Sequence, residues 1–280
     1  MIMKSNLMEK LKGNKVTHSL GRFIKMNFCK FIAELGKKIH VSSVSEIEKL
    51  KMKYDGERCF IICTGPSLTI DDLELLKKEH TFSMNSIISM FDKSDFRPEF
   101  YILQDGTVEK KIRSKLQKVS KYDLKTVFLG EGNVLLNESS LSSKVIKTYS
   151  HLNPVKYNFD WAYHFFDMYY GTEPAKVEFS EDCAKTIKDG FTVTYSAIQL
   201  AIYMGFKEIY LLGCDTSTGG HFDKKIGHNT EVKAVWYFAM AYEVAKEYAE
   251  KKGVRIYNAT RGGMLETFPR VDLNEVLKNE

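Results

Sequence analysis

The feature that most constrains this chain of 280 residues is a set of short apolar runs, each stopped by glycine, asparagine or aspartate, with helix-like segments between them. "RCFIICTGPSL" is an apolar strand running into the turn Gly65-Pro66-Ser67, and "TFSMNSI" breaks at Asn85. "PEFYILQD" follows Pro98 and stops at Asp105, "KEIYLLGCD" stops at Gly213-Cys214-Asp215, and "RIYNAT" stops at Asn258-Ala259-Thr260. "LKTVFLG" adds a further strand. "IDDLELLKKE" opens with acidic residues, as a helix N-terminus prefers. "GFTVTYSAIQLAIYMG" and "TEVKAVWYFAMAYEVAKEYAEKKG" are longer helices, the second closed by Gly253. Strands alternating with helices predict βαβ units: an α/β, Rossmann-like fold with a mostly parallel sheet flanked by helices.

Charge divides the chain. Residues 1–40 carry nine Lys or Arg against two Glu, or +7, so the remainder of a chain of net +5 carries about −2. The body is therefore not the basic surface of a nucleic-acid binder. Leu20, Phe23, Ile24, Phe28, Phe31, Ile32 and Leu35 recur at helical spacing among those cations, which predicts a basic amphipathic helical extension over 1–50. Such a helix can rest on an anionic membrane surface, pack on its own domain, or pair subunits into a homo-oligomer. No apolar run reaches the roughly 20 residues of a membrane span. Five cysteines without paired metal spacing read as reduced core thiols. The expected location is the cytoplasm, with peripheral contact on the inner face of the membrane through residues 1–40. Residues 51–280 form the expected catalytic domain, with a helical or aromatic insert at about 150–185.

Ligands of open α/β sheets bind beyond the carboxyl ends of the strands, and the small or polar strand-end residues gather there. Thr64, Gly65, Pro66 and Ser67 form a turn whose amides suit a phosphate, with Ser67 alternatively a helix cap. Asn85 can read a base or a sugar hydroxyl, and Asp105 can bind ribose or a cation, although either residue could serve only a turn. Asp215, just after Gly213, is a further candidate. His221 and His228 lie seven apart on a loop, which is not the i, i+4 pair of a helical zinc site. His228 stands just before the Asn229 or Thr230 cap of the long late helix, where an imidazole can remove a proton near neutrality.

These residues, in this order, resemble the bacterial sialyltransferases of glycosyltransferase family 42, from about Cys59 to Asn258. "GPSL" resembles that family's Gly-Asn-Gly-Pro-Ser loop, with Thr64 in place of a nucleotide-binding Asn. "MNS" at Asn85 resembles its Cys-Asn-Gln segment. "GFKEIYLLGCD" and "IGHNTEVKA" resemble its segments around the Gly-x-Asp turn and the general-base histidine. The resemblance implies a GT-A-like variant fold and inverting transfer of a sugar from a CMP-linked donor to a glycan acceptor, without an obligatory metal. It makes His228 the base and sets His221 and Ser217 near the departing phosphate, at or near two tyrosine positions of the family. The Gly65–Ser67 turn, Asn85, Thr192 and Thr194 would hold the nucleotide, and Asp105 the ribose or the donor sugar. "NSIISM…FRPEFYILQD", "LGCD" and "YNATRGG" equally resemble the 6-hydroxymethylpterin diphosphokinase-like (Maf-type) domain. That implies an alternative, Mg²⁺-dependent diphosphoryl transfer to a pterin-like alcohol with Asp105 and Asp215 on the cation. A non-catalytic role in polysaccharide assembly is the third reading.

Overall fold

The computed structural model describes residues 46–119, 123–130, 155–157, 159–160, 177–216, 220, 222 and 232–278. In chain order these form β1 (Arg58–Ile62), α1 (Ile70–Leu75), β2 (Thr81–Met84) and a 3-10 turn (Asn85–Met90). Next come β3 (Phe100–Leu103), α2 (Gly106–Leu116), β4 (Thr126–Gly130), β5 (Val155–Tyr157), β6 (Phe159–Asp160) and β7 (Ile187–Lys188). The chain continues through α3 (Val193–Tyr203), β8 (Glu208–Leu212), α4 (Val232–Lys251), β9 (Arg255–Asn258) and α5 (Leu273–Lys278).

Among the described residues, seven strands make one sheet in the order β5-β4-β3-β2-β1-β8-β9, and β6 pairs with β7 in a separate ribbon. Every neighbouring pair in the large sheet is parallel. The expected α/β, Rossmann-like architecture is therefore the observed one. A parallel sheet needs both faces covered, which explains why β1 and β8 read as unbroken apolar runs rather than alternating ones. Cys59 and Ile61 of β1, with Ile209 and Leu211 of β8, face a core shared with α3 and α4. Phe60 and Ile62, with Tyr210 and Leu212, face the opposite core beside Leu73, Ile87, Ile112 and Leu273. One core is strongly aromatic: the Phe82 and Phe100 rings stack at 4.5 Å, and Phe206 meets Phe82 edge-on at 6.0 Å.

The chain leaves β1 in one direction, through β2 to β5, and returns to pair β8 on the other side of β1. Strand order thus reverses between β1 and β8, and such a fork opens a crevice beyond the strand ends. The register runs from Arg58↔Glu208 to Ile62↔Leu212, so the two chains leave the sheet side by side. This is the position of the cavity described below.

Several segments differ from the sequence expectation. "GTVEKKIRSKL" forms α2, although its charges hide Val108, Ile112 and Leu116 spaced one turn apart. In the predicted insert, Val155–Tyr157 pairs as a strand with β4, and 161–176 lie outside the described residues. Of the expected extension, residues 1–45 lie outside them too, and Ile47 is packed into the core. No helix among the described residues is long and apolar enough to cross a membrane.

Candidate functional site

The crevice is a cavity of about 580 Å³, counting its open mouth, walled by the chain just past β1, β2 and β8, by the first turn of α3 and by α4. Of the residues expected there, Thr64, Gly65, Asn85, Thr192, Thr194, Gly213 and Asp215 line it. Pro66, Ser67 and Asp105 are not part of the lining, and Asp105 lies at the start of α2. Ser217, His221 and His228 lie outside the described residues.

The wall is built on one close approach. Past the last paired residues, Cys63 N–H donates to Leu212 O at 2.8 Å and Gly65 N–H donates to Gly213 O at 2.9 Å. A Cβ on Gly65 would lie 1.9 Å from Asp215 Oδ2 and 2.5 Å from Gly213 O, so only glycine lets the two chains pass. Gly213 itself turns at φ +63°, a left-handed conformation that side chains disfavour. The Asp215 carboxylate occupies the space above Gly65 and accepts from Ser67 Oγ at 2.8 Å and, at 3.4 Å, from Ser67 N–H.

This pairing changes the chemistry expected of the turn. The Gly65 and Ser67 amides are spent inside the protein, and Pro66 has none, so the turn shapes the wall more than it offers donors to a phosphate. Ser67 does not cap α1 either. Thr69 does, accepting from Asp72 N–H while Asp72 accepts from Thr69 N–H at 2.9 Å. The Asp105 and Asp215 carboxylates proposed to share a cation follow β3 and β8, which β2 and β1 separate in the sheet, and only Asp215 lines the cavity. Among the described residues, no group of three or more His, Cys, Asp or Glu side chains is placed to hold a metal ion.

Two features of the wall point to a ligand. Asn85 adopts φ +49° where strand β2 turns into the 3-10 segment, and its backbone oxygen accepts from Tyr101 Oη at 2.6 Å. Its side-chain Oδ1 is buried and has no donor among the described residues. An unsatisfied buried acceptor costs about 1–3 kcal/mol, and an N–H or O–H of a bound molecule would remove that cost. The second feature is the N-terminus of α3: Thr192 caps it by accepting from Thr194 N–H, and Thr192, Val193 and Thr194 all face the cavity. A helix start carries partial positive charge and favours an anionic group.

Sequence reasoning missed the remaining lining: Cys63, Met84, Cys214, Thr216, Gly220, Phe238 and Tyr242. Phe238 and Tyr242 stand four apart on α4, a spacing that reads equally as core. Their position beside the cavity follows only from where α4 packs. The loop after β9 supports the site from outside. Asn258, fully buried, accepts from Thr260 N–H and donates to Leu265 O, Thr260 Oγ1 accepts from Cys214 N–H, and Met264 N–H donates to Asp215 O. Arg261 of that loop forks onto the Asp72 carboxylate at 2.7 Å and 2.5 Å and reaches Ser67 O at 3.1 Å.

Two outcomes follow. Gly65→Ala forces Asp215 and the Gly213 carbonyl aside, an overpacking that costs about 1–3 kcal/mol, so Tm should fall by several degrees. An unchanged Tm would show that the two chains are not in contact. For Asp72, burial opposes ionisation, but hydrogen bonds from Arg261 and Thr69 outweigh it and hold the carboxyl below its ordinary value. A depressed folded pKa gives stability that is complete above the unfolded value of about 3.9 and is lost as pH falls through the folded value. The Tm gap between wild type and Asp72→Asn should therefore be constant near neutrality and close in acid, and a gap unchanged by acid would refute the pairing.

Comparison with known proteins adds the family. No curated protein matches the chain. Among solved structures, the sialyltransferase CstII from Campylobacter jejuni, determined in complex with the substrate analogue cytidine-5'-monophosphate, is similar at 16% sequence identity. That similarity covers 79% of this chain and 86% of CstII, with a TM-score of 0.44. The 6-hydroxymethylpterin diphosphokinase MptE-like family matches residues 30–220, well over half of the chain. The chain therefore belongs to the 6-hydroxymethylpterin diphosphokinase MptE-like family.

Proposed function

We propose that the protein is a nucleotide-dependent glycosyltransferase that moves a sugar from a CMP-linked donor to a glycan acceptor, with inversion. The observation that carries the nucleotide part is the cavity at the β1–β8 fork, where the orphaned Asn85 Oδ1 and the start of α3 face the same space. An amino group or hydroxyl of the nucleoside would donate to Asn85. The phosphate would sit against the first turn of α3, beside the Thr192 and Thr194 hydroxyls. The two glycines and Asp215 would shape the floor beneath the sugar.

The transfer itself rests on the sequence resemblance. His228 would take the proton from the acceptor hydroxyl as that oxygen attacks the anomeric carbon opposite the phosphate. The bond from that carbon to the phosphate oxygen breaks, and CMP leaves with the electron pair. Ser217 and His221 would donate hydrogen bonds to the departing phosphate, where preorganised donors stabilise developing charge. The second reading, diphosphoryl transfer to a pterin-like alcohol, takes support from the family's name. It needs a cation site other than the Asp105–Asp215 pair. Peripheral membrane contact through residues 1–40 suits the transferase, whose glycan acceptor can be delivered at a surface.

A thermal-shift screen separates the readings, because a ligand of the native state raises Tm. The transferase reading expects stabilisation by CMP without Mg²⁺. The diphosphokinase reading expects stabilisation by ATP with Mg²⁺, and that outcome would displace the first. His228→Ala should lower turnover about 10²–10⁴-fold, the usual worth of a general base, while leaving the CMP-induced shift intact. Wild-type turnover in this variant would remove His228 from the chemistry.

A further inference from the structure

Two thiols share the cavity wall and have no part in the reading above. Cys63 is the first residue past β1 and Cys214 the second past β8, and both line the cavity. Both belong to the same buried core, on the side of the sheet covered by α3 and α4. Each also has an outer partner: Cys63 Sγ lies 3.2 Å from Thr194 Oγ1, and Cys214 Sγ lies 3.3 Å from Tyr242 Oη. Cys59 and Cys183 are free as well, but they are packed in the core, 0% and 1% exposed, and line no part of the cavity.

The backbone explains why the two cysteines share a face. Residues directly opposite in a parallel pair point to one face, so Cys63 and Gly213 are the natural partners and Cys214 would face the other way. The left-handed Gly213 breaks that alternation and turns Cys214 onto the face of Cys63. A diagonal step between neighbouring strands, about 4.8 Å across and about 3.3 Å along, separates Cα atoms by roughly 6 Å. That is within the span of about 4.4–6.8 Å that a disulfide bridges without backbone movement.

We propose that Cys63 and Cys214 form a redox-active dithiol, which a small disulfide entering through the cavity converts to an intrachain Cys63–Cys214 disulfide. The Cys214 thiolate attacks one sulfur of the reagent RS–SR, forming a mixed disulfide and expelling RS⁻. The Cys63 thiolate then attacks Cys214 Sγ, the mixed S–S bond breaks, and a second RS⁻ leaves. The two cysteine protons pass to the two expelled thiolates. The protein loses two electrons, and the reagent is reduced to two RSH. The order of attack follows from the asymmetry of the pair. The neighbouring Cys63 holds the Cys214 thiol below its ordinary pKa, whereas Cys214, with burial, pushes Cys63 up. Closure takes both sulfurs off Thr194 and Tyr242, so the oxidised wall differs from the reduced one at the start of α3.

The test uses the full chain, kept native and incubated with 2-hydroxyethyl disulfide. Remaining thiols are then alkylated, the protein is unfolded and digested, and the peptides are mapped by mass. The expected result is a linked Cys63–Cys214 peptide pair that forms before any modification of Cys59 or Cys183 and is reversed by dithiothreitol. In Cys63→Ser the second step is blocked, and a stable mixed disulfide should accumulate on Cys214. A link from either cysteine to a different one, separate unresolved adducts on both, or recovery of both as fully alkylated thiols would each overturn the proposal. The wild-type map decides the question even if the variant fails to fold.

Discussion

The hydrogen bond from Gly65 N–H to Gly213 O, with the Asp215 carboxylate over the Gly65 Cα, is the contact on which the site depends. Two parallel strands that stay paired to their last residue must then part, because one continues to α1 and the other to the loop before α4. The glycines let the chains remain in contact for a few residues beyond the sheet before they diverge. That delay converts a strand edge into a wall. It also explains why Asp215, a charged group 8% exposed, is tolerated there: Ser67 satisfies its carboxylate and Met264 its backbone oxygen.

Around this wall, polar groups divide into those that hold the frame and those left over. Ser67, Thr69, Asp72, Asn258, Thr260 and Arg261 all bond to protein partners and keep the loops in register. Asn85 Oδ1 and the partial positive charge at the start of α3 remain for a ligand. A cavity with one orphaned acceptor and one helix N-terminus suits a molecule that carries both a hydrogen-bond donor and an anion. The proposed nucleoside phosphate carries both.

Much of this was legible in the sequence. β1 and β8 are continuous apolar runs because both of their faces are buried, and their glycine-bearing ends mark the fork. The order of the strands across the sheet was not legible, since the reversal at β1 is a tertiary fact. α2 was missed because the four lysines and arginines of "EKKIRSK" obscure a stripe of only three apolar residues. The role of the Gly65 turn was read too simply. The amides suited to phosphate are drawn off by Gly213 O and Asp215, partners nearly 150 residues away in the chain. The dithiol was hidden for the same reason: Cys63 and Cys214 become neighbours only through the β1–β8 pairing and the turn at Gly213.

The most direct measurement of the central claim is hydrogen–deuterium exchange of the full chain with and without CMP. The account predicts slower exchange at 63–68, 84–87, 192–196 and 213–221, the stretches that line the fork or carry the proposed phosphate donors. Protection elsewhere, with those four unchanged, would contradict it.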